Sequence, residues 1–389
     1  MPLPAGRRTK IIATLGPASD GALRIEELIR AGVNVFRLNF SHGDHAQHAA
    51  RIQAAREAEQ AMGRPVALLA DLQGPKLRLG DLPGGEIEVR ISDELRLRAA
   101  ADSEDPSVAP VPHPELVASL QLGDRLLIDD GKMMLHVVRV DGEDRIVKPV
   151  APGRLKSRKG IAAPGRPIPI PALTDKDMAD ANFALSQGVD YLAMSFVQRA
   201  AGLELARREF GEGVFSPEQV PIAQRRIVLT ARAQGKPVIV ATHMLESMIE
   251  SPVPTRAEAN DVASAVYQGV DAVMLSAESA VGRHPTAAVA IMDRIIRAIE
   301  TDRDSEAPIE RRSGPARPGT ADAVARAAAR LADDLDAPLV VFTRSGASAQ
   351  RVSATRPRQP IHALTPAAAS ARRLALVWGV SADLEPEEP

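Results

Sequence analysis

The sequence predicts an α/β fold built around a parallel sheet, and the order and composition of its segments support this prediction. Short apolar runs that end in polar residues recur along the chain, and most are followed by an amphipathic or alanine-rich helical stretch. Runs of this kind are typical of strands buried on both faces. A doubly wound sheet and a closed barrel both fit, and both place active sites at the carboxyl ends of their strands. The predicted strands are 10–16, 33–41, 66–74, 190–196, 236–244 and 271–279.

The composition limits the function classes. A chain of 389 residues with 45% apolar content can form two or three domains with a sizeable core. Its 48 basic and 50 acidic residues nearly balance, so no overall charge favours nucleic acid or an anionic membrane. The chain has no cysteine, which excludes disulfides and thiolate chemistry. It shows no apolar export segment and no membrane-spanning run, so we expect a cytoplasmic protein that acts on small molecules.

The second predicted strand places an arginine inside the sheet. The period of two residues puts Val35, Arg37 and Asn39 on one face, with the two phenylalanines and the leucine of the strand on the other. The aromatic face can pack on helices, which leaves Arg37 facing inward. An inward arginine is costly to bury alone, so either a carboxylate neighbour or an anionic ligand must compensate it. The strand by itself leaves both possibilities open.

Two later regions depart from the strand-helix alternation. Residues 78–166 contain short alternating strands broken by Gly and Pro turns, which predicts a small antiparallel β domain inserted into the α/β domain. After an Arg- and Pro-rich linker, the remaining chain is predicted to form three helices and two strands, followed by an acidic tail. Two strands make a poor sheet, so we expect an incomplete domain unless something else covers its edge.

Seven motifs, in order and at compatible spacings, carry a family resemblance. Each is weak alone, but together, over roughly residues 7–357, they closely resemble pyruvate kinase. The resemblance implies an eight-stranded (β/α) barrel, a mobile β lid inserted after strand three, and a C-terminal α/β domain with effector and subunit contacts. It implies phosphoryl transfer from phosphoenolpyruvate to ADP, with Mg²⁺ as cofactor. The motifs are TKIIATLGPAS, FRLNFSHG, LADLQGPKLR, LIDDGKM, RKGIAAPG, KPVIVATHMLESMIESPVPTRAEANDVASAV and DAVMLSAESAVGRHP.

The resemblance also implies roles for single residues. Arg37 and Arg78 match arginines that grip phosphate, a role suited to a planar, permanently charged fork. Thr242 matches the threonine associated with protonating the enolate, although His243 stands where the family usually has glutamine. The other matches fall into three sets: Thr14, Pro17, Asn39 and His42 near the nucleotide; Asp130 and Lys159 on the lid above the phosphates; and Ser195, Ser276 and Glu278 on the same rim.

A monovalent cation site is a further implication of the resemblance. Its hard oxygen ligands match Asn39, Ser41, Asp71 and the backbone carbonyl of Leu72. Members with glutamate at the position of Lys76 resemble potassium-dependent enzymes, whereas lysine brings its own positive charge. We therefore predict that K⁺ is not required.

The segment HGDHAQH offers a different metal hypothesis. Its three histidines could suggest a histidine metal cluster. The alternative, which we favour, places His45 and His48 on the exposed face of a helix that Asp44 caps.

One strand-helix-strand unit that the resemblance implies is absent near residues 210–215. The family continues there with a strand ending in lysine and glutamate, a helix, and a strand ending in Arg-Gly-Asp. This unit carries the essential lysine and both carboxylates that hold the divalent metal, and none of the 8 lysines of this chain lies between Lys176 and Lys236. Glu212 is either a remnant of one metal ligand or an exposed loop glutamate.

We therefore predict a TIM-type barrel that lacks two strands, with an inserted β lid domain and a partial C-terminal α/β domain. Six strands must close a barrel built for eight, so we expect it to be open or distorted, with unpaired edges at strands 190–196 and 236–244. The predicted domains are a first barrel segment (1–77), the lid (78–166), an incomplete second barrel segment (167–302) and the partial C-terminal domain (303–389).

Three functions are compatible with this chain. It is a working pyruvate kinase, a non-catalytic member that binds nucleotide, an anion or an intact relative, or a non-functional deletion product. The expected partners are ADP or ATP and phosphoenolpyruvate, with no nucleic acid and no membrane. A homo-oligomer fits the resemblance, but the usual tetramer and regulation by sugar phosphates do not follow from this chain.

Overall fold

The computed structural model describes residues 6–129, 131–164, 166, 168–171, 173–195, 220–302 and 319–385. Asp130 and Glu212, two of the predicted site residues, lie outside these ranges. The chain forms two compact units, one from Met1–Leu72, Met178–Ala193 and Arg225–Pro389, the other from Gln73–Asp177 and Met194–Gln224. None of the helices described is long and apolar enough to cross a membrane.

The first three predicted strands form and pair in parallel. The helix after the second strand begins at Asp44, whose carboxylate accepts a hydrogen bond from Gln47 N at 2.8 Å, so the predicted cap is confirmed. That helix ends before Gly63, whose φ of 59° suits a residue without Cβ. The elements are β1 (Lys10–Thr14), α1 (Ala22–Ala31), β2 (Val35–Asn39), α2 (His45–Met62) and β3 (Ala67–Leu72).

The second unit is mainly antiparallel β structure, which confirms the inserted β domain. Alternate residues of its strands, such as Leu97, Leu126 and Leu135, form its own hydrophobic core. The elements are β4 (Glu86–Val89), β5 (Leu95–Ala99), β6 (Val108–Val111), α3 (Pro114–Ser119), β7 (Arg125–Ile128), β8 (Met133–Asp141), β9 (Asp144–Pro149), β10 (Gly153–Lys156) and β11 (Ile161–Ala162). Six strands form one sheet, and β4 pairs with β10 in a separate ribbon. Within the sheet, β5 and β6 pair in parallel.

Three more strands complete a curved parallel sheet in the first unit. These and their helices are α4 (Asp175–Ser186), β12 (Tyr191–Met194), α5 (Val220–Ala233), β13 (Ile239–Val240), α6 (Arg256–Tyr267), β14 (Ala272–Leu275), α7 (Ala277–Ala280) and α8 (Pro285–Thr301). The strand order is β12-β3-β2-β1-β14-β13, so all six predicted strands are confirmed. Strands β12 and β13 lie at opposite edges of this sheet. The open barrel predicted from six strands is therefore present in the described residues.

Both faces of the curved sheet are buried. Ile11, Phe36 and Leu38 pack against the surrounding helices. Ile12 and Val35 face the other way and pack with Leu376 from the C-terminal region of the chain. The period-two assignment of β2 is thus confirmed, and Arg37 lies on the inner face.

The C-terminal region has one strand more than the sequence analysis predicted. The prediction of two strands was wrong because residues 380–382 were given no structure and the acidic tail was taken to begin at Asp383, whereas Val380 and Ala382 pack in the core of this region. The last predicted helix also ends earlier, at Leu374, and Gly379 with a φ of 68° turns the chain into the extra strand. The elements are α9 (Thr320–Leu335), β15 (Leu339–Phe342), α10 (Ala347–Ala354), β16 (Ile361–Thr365), α11 (Ala368–Leu374) and β17 (Val380–Leu384), whose strands are parallel.

Candidate functional site

Polar side chains converge where β1, β2 and β3 end. Parallel pairing places Thr14 opposite Arg37 and Asn39 opposite Asp71. The Arg37 guanidinium donates from Nε to Asp71 Oδ2 at 2.8 Å and approaches the same oxygen with Nη2 at 2.6 Å. Its Nη1 donates to Thr14 Oγ1 at 3.0 Å, and Thr14 donates onward to Leu275 O at 2.9 Å. Four neighbouring strands therefore fix the position of this arginine.

The Arg37–Asp71 ion pair answers a question that the sequence left open, namely whether a carboxylate neighbour compensates the inward arginine. A carboxylate neighbour compensates the inward arginine, and both side chains are mostly buried, with 12% and 17% of their surface exposed. A guanidinium has five N–H groups. The described contacts leave one N–H on each terminal nitrogen of Arg37 for a ligand. The site can thus hold a bound anion against a preformed cation.

The oxygen ligands expected for a monovalent cation lie at adjacent strand ends. Asn39 Oδ1 accepts a hydrogen bond from Ser41 N at 3.1 Å, and Phe40 N donates to Asp71 O at 2.9 Å. These bonds tie the chain after β2 to the end of β3, of which Leu72 is the last residue. The structure therefore brings Asn39, Ser41 and Asp71 together, while their role as cation ligands stays a prediction.

The histidines after β2 correct a prediction. His48 is buried rather than exposed, stacks on Phe40 at 4.2 Å, and shares a 3.0 Å hydrogen bond with His42 O. His45 pairs with Asp180 at 2.8 Å and stacks on a phenylalanine of α4. The exposed-face prediction is confirmed for His45, whose side chain is 46% exposed, and was wrong for His48. The helical period alone does not reveal that Phe40 covers the His48 ring.

Pro17 starts a short 3₁₀ turn just after β1. The preceding Gly16 makes a close approach possible, since a Cβ there would lie 2.5 Å from Ala280 O. Ser279 Oγ donates to Thr14 O at 2.9 Å across the same junction. The ends of β1 and β14 are therefore locked to each other.

The turn after β13 carries Thr242 and His243. Both have left-handed backbone angles, with φ of 78° and 54°, which is rare for residues other than glycine and stores conformational energy. Both residues are exposed, and His243 Nδ1 pairs with Glu246 Oε2. Glu246 was not predicted as a site residue, although its spacing three residues after His243 could have signalled the pair.

The Glu278 side chain holds this turn in place through hydrogen bonds to the backbone. Its buried carboxylate accepts hydrogen bonds from Leu245 N at 3.0 Å and from Ser276 N at 2.7 Å. Strand β14 lies between β1, which ends at Thr14, and β13, which precedes Thr242. The predicted site residue Ser195 follows β12 and is the last residue described there. Glu278 thus acts in the described structure as an anchor for two backbone segments.

Arg78 and Lys159 lie close together in the second unit. Arg78 forms an isolated antiparallel bridge with Gly160 and donates from Nη1 to Arg158 O at 2.9 Å. Lys159 Nζ lies 3.0 Å from Asp129 Oδ1, and this lysine holds the pKa of the Asp129 carboxyl below its usual range. These two predicted phosphate-binding residues therefore belong to one local structure.

The described residues do not fit the divalent metal that the resemblance implies. In the described stretches no three His, Asp or Glu side chains are placed to hold a metal ion. Asp71 is engaged by Arg37, and Glu278 by backbone N–H groups. The described side chains therefore offer no set of ligands for a divalent metal ion.

Comparison with known proteins identifies the family. The model of the pyruvate kinase barrel domain matches residues 6–216 and 205–289, and that of the pyruvate kinase alpha/beta domain matches residues 322–387. The chain belongs to the pyruvate kinase family. A pyruvate kinase of Agrobacterium vitis is 41% identical over 420 positions, which cover 98% of this chain and 88% of the relative.

Two further comparisons agree with this family membership. A pyruvate kinase of Methylorubrum extorquens is 40% identical over 410 positions, covering 96% of this chain and 86% of the relative. The crystal structure of a pyruvate kinase from Cryptosporidium parvum superposes with a TM-score of 0.89 at 31% identity, covering 99% of this chain and 89% of that one. The fold expected from the motifs is thus confirmed.

The pattern of the matches also supports the missing internal unit. The barrel model matches in two stretches that meet at residues 205–216, where the sequence analysis located the loss. The alignment with the Agrobacterium relative spans 420 positions, although this chain has 389 residues. It must therefore contain gaps in this chain, as an internal deletion requires.

Proposed function

We propose that this chain acts in the pyruvate kinase reaction, the glycolytic transfer of a phosphoryl group from phosphoenolpyruvate to ADP that gives pyruvate and ATP. The observation that carries the proposal is Arg37, held between Asp71 and Thr14 with an N–H on each terminal nitrogen directed to no described partner. A fixed, planar cation suits phosphate oxygens, and a site that is already ordered loses little entropy when it binds them. We place the reaction in the cytoplasm.

We further propose that turnover is far lower than in the intact relatives. Phosphoryl transfer depends mainly on positioning and on stabilising the charge of the moving group. The family resemblance assigns a lysine and two carboxylates to this task, and the chain has no lysine between Lys176 and Lys236. Losing one such stabilising donor typically costs about 100- to 1,000-fold, so the combined loss is on the order of a million-fold, with allowance for non-additivity.

The residues that remain would bind and orient the substrates. Arg37 and Arg78 would hold phosphoenolpyruvate and the transferring phosphoryl group, with Lys159 near the phosphates. Thr242 would deliver the proton that converts the enolate into pyruvate, from a turn whose strained backbone is consistent with a functional role. Lys76 would supply the charge that K⁺ gives other members, so phosphoenolpyruvate binding should be equal in potassium and sodium buffers.

A second candidate is a family member that binds these ligands without turnover. The Arg37 site favours it, because an anion can bind there without the missing lysine. Its partners would be phosphoenolpyruvate, a nucleotide, or an intact relative that supplies the absent groups. The two candidates make different predictions for the same purified protein.

The deciding experiment measures turnover and binding together. Pyruvate formation from phosphoenolpyruvate, ADP and Mg²⁺ is followed in a coupled assay, and phosphoenolpyruvate binding by calorimetry, each with an Arg37→Ala control. Turnover that disappears in the control supports the first candidate. Binding without turnover, again lost in the control, supports the second. If neither depends on Arg37, both are wrong.

Glu212 can be tested by calorimetry with ADP in the presence and absence of Mg²⁺. If it is a remnant of the metal site, Glu212→Ala should abolish divalent-dependent nucleotide binding. Glu57→Ala, which removes an exposed glutamate of α2, is the matched control. Unchanged binding in Glu212→Ala would reduce Glu212 to a loop glutamate.

A further inference from the structure

A second cluster of cations lies at the amino end of the curved sheet, away from the strand ends that carry Arg37. It surrounds a cavity of about 40 Å³ beside the residue that precedes β14. Helix α5 and its following turn contribute one wall, and helix α10 with the residues after it contributes the other. The polar lining residues are Arg232, Lys236, Asp271, Gln350, Ser353 and Arg356.

Arg356 is held firmly at this cavity. Its Nη2 lies 3.0 Å from Asp271 Oδ2 and donates to Gly269 O at 3.2 Å. The guanidinium carbon lies over the Trp378 ring, 4.6 Å from its centroid, in a cation–π contact. Its Nη1 is buried and has no hydrogen-bond partner in the described structure. A buried donor of this kind is costly unless something accepts its hydrogen bond.

The cavity lining carries more positive than negative charge. Arg232 donates from Nη1 to Gln268 O at 3.2 Å, and its guanidinium packs against Gly269, which also accepts from Arg356. Lys236 adds a third cation. Asp271 is the one carboxylate in the described lining, and it also accepts a hydrogen bond from Val238 N at 2.9 Å. One shared carboxylate does not balance three cations.

The lowered pKa values of two arginines in the cluster agree with an excess of positive charge. Burial, and then the proximity of Arg356, lowers the pKa of Arg232 to about 10. Burial lowers the pKa of Arg356 as well, while Asp271 opposes the effect. A bound anion would relieve both the repulsion and the unpaired donor.

We propose that this cavity binds a small oxyanion of the size of inorganic phosphate, held by Arg356, Arg232 and Lys236. Its volume is about three times the roughly 10–15 Å³ that one buried water needs, so a small ion fits whereas a nucleotide does not. Arg232 and Lys236 belong to the barrel, and Arg356 to the C-terminal region. The ion therefore links these two regions and should stabilise the folded chain by mass action.

Phosphate titrations of the full chain test the proposal. Calorimetry and thermal unfolding are measured with inorganic phosphate, against sodium chloride at equal ionic strength. All measurements use an Arg37→Ala background, which removes phosphate binding at the carboxyl ends of β1, β2 and β3. Arg232→Gln and Lys236→Gln each remove one charge, and Arg330→Gln, on the exposed face of α9, is the matched control. Arg356 is left intact because its loss would leave Asp271 buried and unpaired.

In the Arg37→Ala background we expect one phosphate to bind per chain and to raise the unfolding temperature. Adding Arg232→Gln or Lys236→Gln to this background should weaken binding at least tenfold, whereas adding Arg330→Gln should leave it unchanged. Displacement of phosphate by sulfate would support recognition of a tetrahedral oxyanion. The proposal is overturned if phosphate has no effect beyond that of chloride, or if the two cavity variants respond like the control.

Discussion

Lys10 should make the stability of this chain depend strongly on pH. It is the first residue of β1, has 5% of its surface exposed, and donates from Nζ to Val380 O at 2.6 Å. Burial lowers its pKa from 10.5 to about 7, with nearby Arg7 and Arg64 acting in the same direction. The structure therefore buries a lysine whose only described acceptor is a neutral carbonyl.

The sign and size of the effect follow from proton linkage. Because the unfolded chain holds the Lys10 proton up to a higher pH than the folded chain, stability rises as pH increases from about 7 to 10.5. At about 1.4 kcal/mol per pH unit, the full cost of burial is roughly 5 kcal/mol below pH 7. It is about 4 kcal/mol at pH 7 and less than about 1 kcal/mol at pH 10.

Replacing Lys10 with methionine should stabilise the folded chain at pH 7 but not at pH 10. Lys10→Met removes the cost of the buried ammonium but leaves Val380 O without its donor, which costs about 1–3 kcal/mol. The variant should be more stable than the parent by about 1–3 kcal/mol at pH 7, and equal or less stable at pH 10.

Urea unfolding followed by circular dichroism at pH 7, 8.5 and 10 measures this difference. Arg330→Met changes an exposed cation of the same unit and should leave the pH dependence unaltered. A constant difference between Lys10→Met and the parent across the three pH values would refute the reasoning, since a purely structural role has no pH dependence.

Three other side chains give further predictions. Burial lowers the pKa of His48, so stability should fall as pH drops below about 6.5. In His48→Gln the urea unfolding midpoint should therefore depend less on pH between about pH 7 and 5. Arg145, buried in the second unit, donates to five backbone carbonyls. Arg145→Lys cannot reach them all and should cost about 2–4 kcal/mol, seen as faster amide exchange over residues 125–149, whereas exposed Arg139→Lys should not change it. Glu278→Gln keeps only one of the two oxygens that accept from Leu245 N and Ser276 N. Thermal unfolding should show a loss of stability of about 1–3 kcal/mol. An unchanged melting temperature would show that the second N–H has another acceptor.

The sequence was most informative about local periodicity. Strand β2 shows why, since its alternation alone assigns Phe36 and Leu38 to the helices and Arg37 to the interior. The same rule located all six strands of the curved sheet, because each is a short apolar run bounded by polar residues. Asp44 was predictable as a cap for a similar reason, since its hydrogen bond reaches only three residues along the chain.

Features set by distant contacts were not predictable in this way. The sequence could not choose between a carboxylate and a ligand for Arg37, because the choice depends on the register that brings Asp71 beside it from 34 residues away. His48 looked exposed on its helix, but Phe40 covers its ring. Strand β17 was missed because Val380 and Ala382 are buried by contacts that the local pattern does not show, namely pairing with β16 and packing against helical residues of the same region.

The open edges of the sheet and the missing lysine have a common origin. Strands β12 and β13 follow one another among the described strands, yet they occupy opposite edges in the order β12-β3-β2-β1-β14-β13. In a closed (β/α) barrel, consecutive strands are neighbours, whereas no strand in the described part of the chain joins these two edges. The family model breaks at the same place, residues 205–216, and this is also where the chain lacks lysine. We propose that a single internal loss accounts for both features: it would open the barrel and remove the charge that the family resemblance assigns to phosphoryl transfer. The paired strands β1, β2 and β3 keep Arg37, Asp71 and Thr14 in position. Inserting the corresponding segment of an intact relative into this chain should therefore close the sheet and raise turnover together. A closed sheet without a rise in turnover would contradict a common cause for the open barrel and the low activity.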